Sequence, residues 1–189
     1  MRCAFCGAFA IATFCKICSQ ILADPVIRCR EVGEFKIYSF YDYSEIKNLI
    51  HSKHQMHGLF VYKNLANFSI AKFSRNFKFS SPINIVPIDD KITHGYSHTA
   101  ILARAAKSKT LHPIYRVLQA GSNVSYSGKD LKFRQSHPRD FKILKRPKFP
   151  VILVDDIVTT GTTILEAKAT LENSGIDVLC AIVLADARY

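Results

Sequence analysis

The run Val151-Ile152-Leu153-Val154-Asp155-Asp156-Ile157-Val158-Thr159-Thr160-Gly161-Thr162-Thr163 decides how this chain reads. Val151 to Val154 is short, branched and apolar, as a strand buried on both faces requires. Two adjacent carboxylates and a hydroxyl-rich turn follow. From Thr162 to about Ser174 the spacing is helical, with Ile164, Ala167 and Leu171 on one face and Gly175 at the C′ position. Ile176 to Leu184 reads as the next strand, which completes one βαβ unit. Asp155 and Asp156 then stand at the carboxyl end of a buried strand, where open α/β sheets bind ligands. Their order suits a sugar phosphate. Carboxylates accept hydrogen bonds from sugar hydroxyls, and a helix N-terminus offers free N–H groups to an anion. Two acids at a strand end also serve as plain helix caps, so residue types alone leave that alternative open.

A second β-loop-α unit precedes this one. Ser81-Pro82 opens a strand, Ile83 to Ile88, that ends in Asp89-Asp90-Lys91, and Thr99 to Lys107 is helical. Lys91 either assists an anion or is a surface lysine. His94 and His98 are four apart, but no helix is expected between them, so loop chemistry or ligand contact is the reading rather than a metal. Further upstream, Phe35 to Tyr41 reads as a strand. Asp42 and Ser44 are N-cap candidates for a helix with Ile46, Leu49 and Ile50 on its apolar face. Lys53 to Gly58 breaks that helix, and Leu59 to Ile70 is helical again.

At the N-terminus, Cys3-Ala4-Phe5-Cys6 and Cys15-Lys16-Ile17-Cys18 are two-residue-spaced pairs separated by eight residues. Four thiolates at this spacing can close a tetrahedral structural Zn2+ site that supplies the folding energy of a short segment. A disulfide or redox pair is the alternative, although nothing else suggests an oxidising compartment. Cys29 and Cys180 read as ordinary buried cysteines. Arg2 and the apolar stretch to Phe14 imitate a signal peptide, but paired cysteines at both ends argue against cleavage. No uninterrupted apolar run is long enough to span a bilayer. The expectation is a cytoplasmic protein without membrane insertion.

The chain has 189 residues, 48% of them hydrophobic, enough for one α/β domain and a small appendage. The domain reading is a four-cysteine finger and linker over 1–34, then the α/β domain over 35–189. Net charge is +11 and unevenly spread: residues 107 to 148 hold eleven Lys and Arg against two Asp. Such a concentration attracts polyanions or forms a solvated basic face. Lys129, Lys132, Arg134 and Arg139 are the candidate nucleic-acid contacts. His112-Pro113, Gly121-Ser122-Asn123 and Ser127-Gly128 punctuate this segment into loops, read as a hood over the sheet. The stretch Lys72 to Phe79 interleaves cations with aromatics, so Phe73 and Phe77 either stack bases or enter the core; the core is the preferred reading.

The run from Val151 to Thr163 resembles the phosphoribosyl pyrophosphate motif of type I phosphoribosyltransferases. With Cys3, Cys6, Cys15 and Cys18, Ile85-Val86-Pro87-Ile88 and the His94-to-Ala103 segment, nearly the whole chain resembles the ComF family of competence-associated proteins. That resemblance implies a type I phosphoribosyltransferase-like parallel sheet flanked by helices, behind a small zinc finger. By it, Asp155 and Asp156 contact a ribose diol, and Thr159, Thr160, Gly161, Thr162 and Thr163 wrap the 5′-phosphate. It further implies binding of phosphoribosyl pyrophosphate with Mg2+, cytoplasmic handling of single-stranded DNA in natural transformation, and DNA-uptake or recombination proteins as partners. The alternative is an active phosphoribosyltransferase with an unassigned acceptor. Relatives usually show Arg-Gly-aromatic-Asn-Gln where this chain has His94-Gly95-Tyr96-Ser97-His98. Thr159 stands where purine-salvage enzymes often carry an acid.

Overall fold

The computed structural model describes residues 1–76, 79–92, 94–121 and 139–188. Lys129, Lys132, Arg134, Phe77 and the turns at Asn123 and Ser127-Gly128 lie outside the described residues.

Strands β1 (Arg28–Val32), β2 (Phe35–Ser39), β3 (Tyr41–Asp42), β4 (Ile83–Pro87), β5 (Leu111–Pro113), β8 (Val151–Val158) and β9 (Val178–Asp186) form the main sheet. Strands β6 (Leu118–Ala120) and β7 (Phe141–Ile143) pair apart from it. The order is β1-β2-β9-β8-β4-β5, with β3 continuing along β9. Only β1 and β2 pair antiparallel in this sheet among the described residues; every other pairing is parallel. Gly33, at φ 63, makes the tight β1–β2 turn in a conformation that favours glycine.

Helices α1 (Lys16–Leu22), α2 (Tyr43–His51), α3 (Gly58–Phe68), α4 (Ile70–Asn76), α5 (His98–Ala105) and α6 (Thr162–Glu172) cover the sheet. Alternation along the strands sorts the core into two layers. Ile85, Ile152, Val154 and Ile182 meet Leu102 of α5 and Val61 and Leu65 of α3. Val86, Leu153 and Val183 meet Ile164, Ala167 and Leu171 of α6 on the other face. From the β4–β8 seam the chain leaves in opposite directions: β4–α5–β5 runs outward one way, β8–α6–β9 the other. Crossovers of one hand departing in opposite directions must place their helices on opposite faces, and α5 and α6 do so. The seam is therefore a topological switch point, and its carboxyl end opens a crevice.

Sequence-predicted elements appear with shifted ends. The strand expected over Val151 to Val154 runs on to Val158, because pairing with β9 continues through Ile157 and Val158. The aspartates thus lie inside the strand. Helix α6 ends in a Schellman motif: Gly175 at φ 72 donates to Glu172 O, and Ile176 N–H to Leu171 O. Leu59 to Ile70 is interrupted at Ser69, whose Oγ donates to Leu65 O at 2.6 Å, a local bond that bends helices. Phe73 packs against Tyr38 and Phe40, at ring separations of 5.5 and 5.3 Å, as the core reading expects. Buried Asn84 spends its amide on the sheet edge: Nδ2 donates to His112 O, and Oδ1 accepts from Lys148 and Phe149 N–H.

The loop after β4 is fastened by Tyr96, whose hydroxyl lies 3.1 Å from Lys53 O and 3.3 Å from Gln55 O. Gly58 lets this happen. A Cβ there would stand 2.1 Å from Ser52 O and 2.3 Å from Tyr96 Oη. Gly58→Ala should therefore cost about 1–3 kcal/mol of stability, as overpacking does. A urea midpoint unchanged from the parent would show that this turn is not tightly closed.

Candidate functional site

Asp156 and Asp155 occupy consecutive positions of β8, so their side chains leave opposite faces of the sheet. Asp156 is 6% exposed and faces the helical layer of α2, α3 and α5. Its Oδ2 accepts from Lys53 Nζ at 2.7 Å and from Tyr62 Oη at 3.1 Å, with His98 Nε2 at 3.6 Å. Burial alone would raise this carboxyl, but Lys53, His98 and the Tyr62 hydrogen bond hold it well below the usual carboxylate range. Burial likewise works against the Lys53 ammonium, yet Asp156 raises its pKa above the ordinary lysine value. For His98 burial prevails, with Lys53 and His54 reinforcing it, and the imidazole titrates below its ordinary value.

Asp155 is half-buried on the α6 side, and its Oδ1 accepts from Asp156 N–H at 2.8 Å. Burial and the Asp156 charge push it up to about 8, against the opposing pull of Arg139 and Lys53. Arg139 also reaches Asp89 at 3.4 Å. One cation thereby links the ends of β4 and β8 across the seam. Arg139, a candidate nucleic-acid contact, thus lies beside these acids.

The Thr159–Thr163 turn bends at Gly161, φ 85, and leads into α6. Thr160 Oγ1 and Thr162 Oγ1 are 2.8 Å apart, and Thr162 N–H reaches Thr160 Oγ1 at 3.4 Å. The turn encloses a concavity of about 20 Å³ lined by residues 157–164. Thr159 is exposed, Thr160, Thr162 and Thr163 are half-buried, and Gly161 is buried. Arg30 of β1 packs behind the turn and donates to Thr159 O at 2.6 Å.

A larger cavity of about 550 Å³ opens at the ends of β4 and β5. Asp89, Asp90 and Lys91 form one wall; Tyr115, Arg116 and Leu144 stand among the others. Asp90 Oδ2 accepts Arg116 N–H at 2.8 Å, which fixes that wall. Lys91 itself is exposed. His94 packs edge-on to His54 with 6.0 Å between centroids, whereas His98 turns to Asp156 and Tyr62. The two histidines thus serve different neighbours.

Lys53, Tyr62 and Arg30 are the residues sequence reasoning passed over. Lys53 reads locally only as a helix break. Tyr62 carried a usable signal, because a phenol on the apolar face with Val61, Leu65 and Ala66 needs a buried acceptor. Arg30 gave none, being separated by 129 positions from the turn it contacts.

The sulfurs of Cys3, Cys6, Cys15 and Cys18 all lie within 4.8 Å of one another. Cys6 and Cys15 sulfurs are 3.8 Å apart. Zinc–sulfur bonds of about 2.3 Å in a tetrahedron place sulfurs about 3.8 Å apart, so the donor set fits a zinc ion. The same separation is far beyond a disulfide bond. Gly7, at φ 76, turns the first knuckle and donates to Cys3 O. Burial raises the Cys3 thiol, but amide N–H groups of Cys6, Cys15 and Phe5 outweigh it and bring it to about 6. Cys3 and Cys18 share one buried cluster with Phe14, Leu22 and the residues of α3.

Metal analysis should find one zinc per chain, lost in Cys15→Ser; a metal-free chain with an unchanged melting curve would remove the finger. For Asp155 the sign is set by its raised pKa. The folded chain holds that proton more tightly, so the contribution is full below about pH 3.8 and is lost as pH rises to about 8. Parent stability in urea should therefore decline between about pH 5 and pH 8, by one to a few kcal/mol, and Asp155→Asn should flatten the decline. The Asp156 contribution has the opposite sign and is lost only as the solution becomes acidic. Parallel parent and variant curves would mean that Asp155 titrates normally.

No protein-family model matches the chain, and no curated protein sequence matches it. Solved structures similar to it include hypoxanthine phosphoribosyltransferase from Staphylococcus aureus, at 17% identity and TM-score 0.39, over 66% of this chain and 62% of that one. The present chain thus spans less than two thirds of that enzyme's length. Orotate phosphoribosyltransferase from Aeropyrum pernix is similar at 17% identity and TM-score 0.42, over 90% and 80% of the two chains. Adenine phosphoribosyltransferase from Leishmania donovani gives 16% identity and TM-score 0.43, over 89% and 79%.

Proposed function

We propose that this chain binds phosphoribosyl pyrophosphate at the β4–β8 seam and serves natural transformation as a ComF-type protein in the cytoplasm. The observation that carries the reading is the conjunction along one stretch of chain: the Asp155 carboxyl group inside β8, the threonine-lined turn that follows the strand, and the first amides of α6. Asp155 suits the ribose diol, and Thr159 to Thr163 suit the 5′-phosphate. Asp156 acts in this reading through its network, holding β8 and the helical layer in register. Half-buried Asp89 and Asp90 would help hold a Mg2+ ion bound with the diphosphate, and the ion would offset the diphosphate's negative charge.

Single-stranded DNA is the proposed polyanion, and DNA-uptake or recombination proteins are the proposed partners. Lys142, Lys145, Arg146 and Lys148 are exposed within the basic region, which supports an electrostatic contact with phosphates. Among the described residues, no helix is long and apolar enough to cross a membrane. A second reading, phosphoribosyl transfer to an acceptor, is favoured by the cavity beside Asp89, whose volume suits a small molecule. In that case the cationic groups would stabilise departing pyrophosphate.

Calorimetry with phosphoribosyl pyrophosphate and magnesium, paired with single-stranded DNA titration over salt, tests the proposal. Asp155→Ala should weaken the sugar-phosphate ligand about tenfold or more and leave DNA affinity within about twofold. DNA affinity should fall steeply with salt. Unchanged phosphoribosyl pyrophosphate affinity in the variant, or a flat salt response, would overturn the corresponding half. Product formation from labelled phosphoribosyl pyrophosphate would establish turnover.

A further inference from the structure

Arg30 sits on an edge strand between two exposed neighbours, Cys29 and Glu31, yet its own side chain is only 10% exposed. An edge-strand arginine ordinarily extends its head into water, and burying a guanidinium costs free energy unless it is paired. Its Nη1 donates to Thr159 O at 2.6 Å and to Asp186 Oδ1 at 3.1 Å, while Nε–H has no partner among the described residues. Asp186 does not require Arg30 for neutralisation. Arg188 already serves it through the backbone N–H at 3.0 Å and the guanidinium at 3.4 Å. What Arg30 adds is a grip on a carbonyl of the turn.

That grip has a geometric consequence. The peptide joining Thr159 and Thr160 is trans, so its C=O and N–H point in opposite directions. With the carbonyl drawn back towards Arg30, the Thr160 N–H is aimed away from the β1–β2 hairpin. The hairpin touches the back of the turn at a second point: a Cβ on Gly161 would lie 3.1 Å from Val32 Cγ2. Residues 30 and 32 are on one face of β1, so both contacts come from one side. Inside the turn, Thr162 N–H makes only a 3.4 Å bond to Thr160 Oγ1, which an anionic oxygen would outcompete.

We propose that Arg30 is a positioning residue for a ligand's 5′-phosphate: by holding the Thr159 carbonyl behind the turn, it presents the Thr160 amide to the concavity in front. The guanidinium also polarises that peptide and strengthens its N–H as a donor. The proposal rests on the sugar-phosphate reading above and adds a residue from an element distant in sequence. Arg30 touches no ligand atom and acts only through the backbone.

The test is calorimetry with two probes, ribose 5-phosphate and magnesium pyrophosphate, on the full chain. Arg30→Met should weaken ribose 5-phosphate about tenfold or more and leave pyrophosphate within about twofold. Arg30→Lys, which can still donate to the carbonyl, should recover part of the loss. Equal losses for both probes, or no loss for either, would overturn the assignment. Should Arg30→Met fail to fold, Arg30→Met with Asp186→Asn removes the buried ion pair together and carries the same comparison. Independently of any variant, the Thr160 amide resonance of the parent protein should move downfield on adding ribose 5-phosphate; its standing still would count against Arg30. A parent that binds no ribose 5-phosphate overturns the sugar-phosphate site itself. A parent that binds, with an unaltered Arg30→Met, removes only the role given to Arg30.

Discussion

A carboxylate buried among apolar side chains must be answered, and the answer to Asp156 organises half of this molecule. Lys53, Tyr62 and His98 come from three separate segments: the turn after α2, the middle of α3 and the first residue of α5. Each is drawn to the same oxygen atom. Losing any one of them leaves charge or a polar oxygen under-solvated, which is costly inside a protein. The helical layer is thereby fixed against the strand that also carries Asp155 and the threonine turn. Packing alone would allow those helices to slide; a shared polar centre does not.

This arrangement gives the two aspartates different roles despite their adjacency. Strand alternation sends one into the layer of α2, α3 and α5 and leaves the other half-buried on the α6 side. The buried one is ionised and immobilised by its partners. Its neighbour is left with burial and a nearby negative charge, eased by Arg139. Similar separation of two like groups by environment is a general way of giving identical side chains unlike chemistry.

Much of the architecture was legible in the chain. Branched apolar runs at Ile83 and Val151, each followed by acids and a helix, are enough to predict successive β-loop-α units. Gly175 marked the end of α6 because a left-handed residue was needed there. The four cysteines declared themselves by spacing. What could not be read was convergence. Nothing near Lys53 announces a partner about a hundred positions away, and Arg30 looks like one more cation in a basic chain. The extension of β8 past the acids was also hidden, since two adjacent carboxylates ordinarily argue against a continuing strand until their partners are known.

The core shared by the four-cysteine segment and the helical layer bears on how such a segment could be inherited. Phe14 packs on Phe68, Thr13 accepts from Asn64, and the phenol of Tyr41 is tied to Leu22 O. A module attached by so many seams is not an interchangeable cassette. Recombination that transplanted the first two dozen residues onto another scaffold would have to bring matching aromatic and amide surfaces along. Otherwise, both pieces would be left with a raw apolar wall. The appendage and its host are thus obliged to drift together.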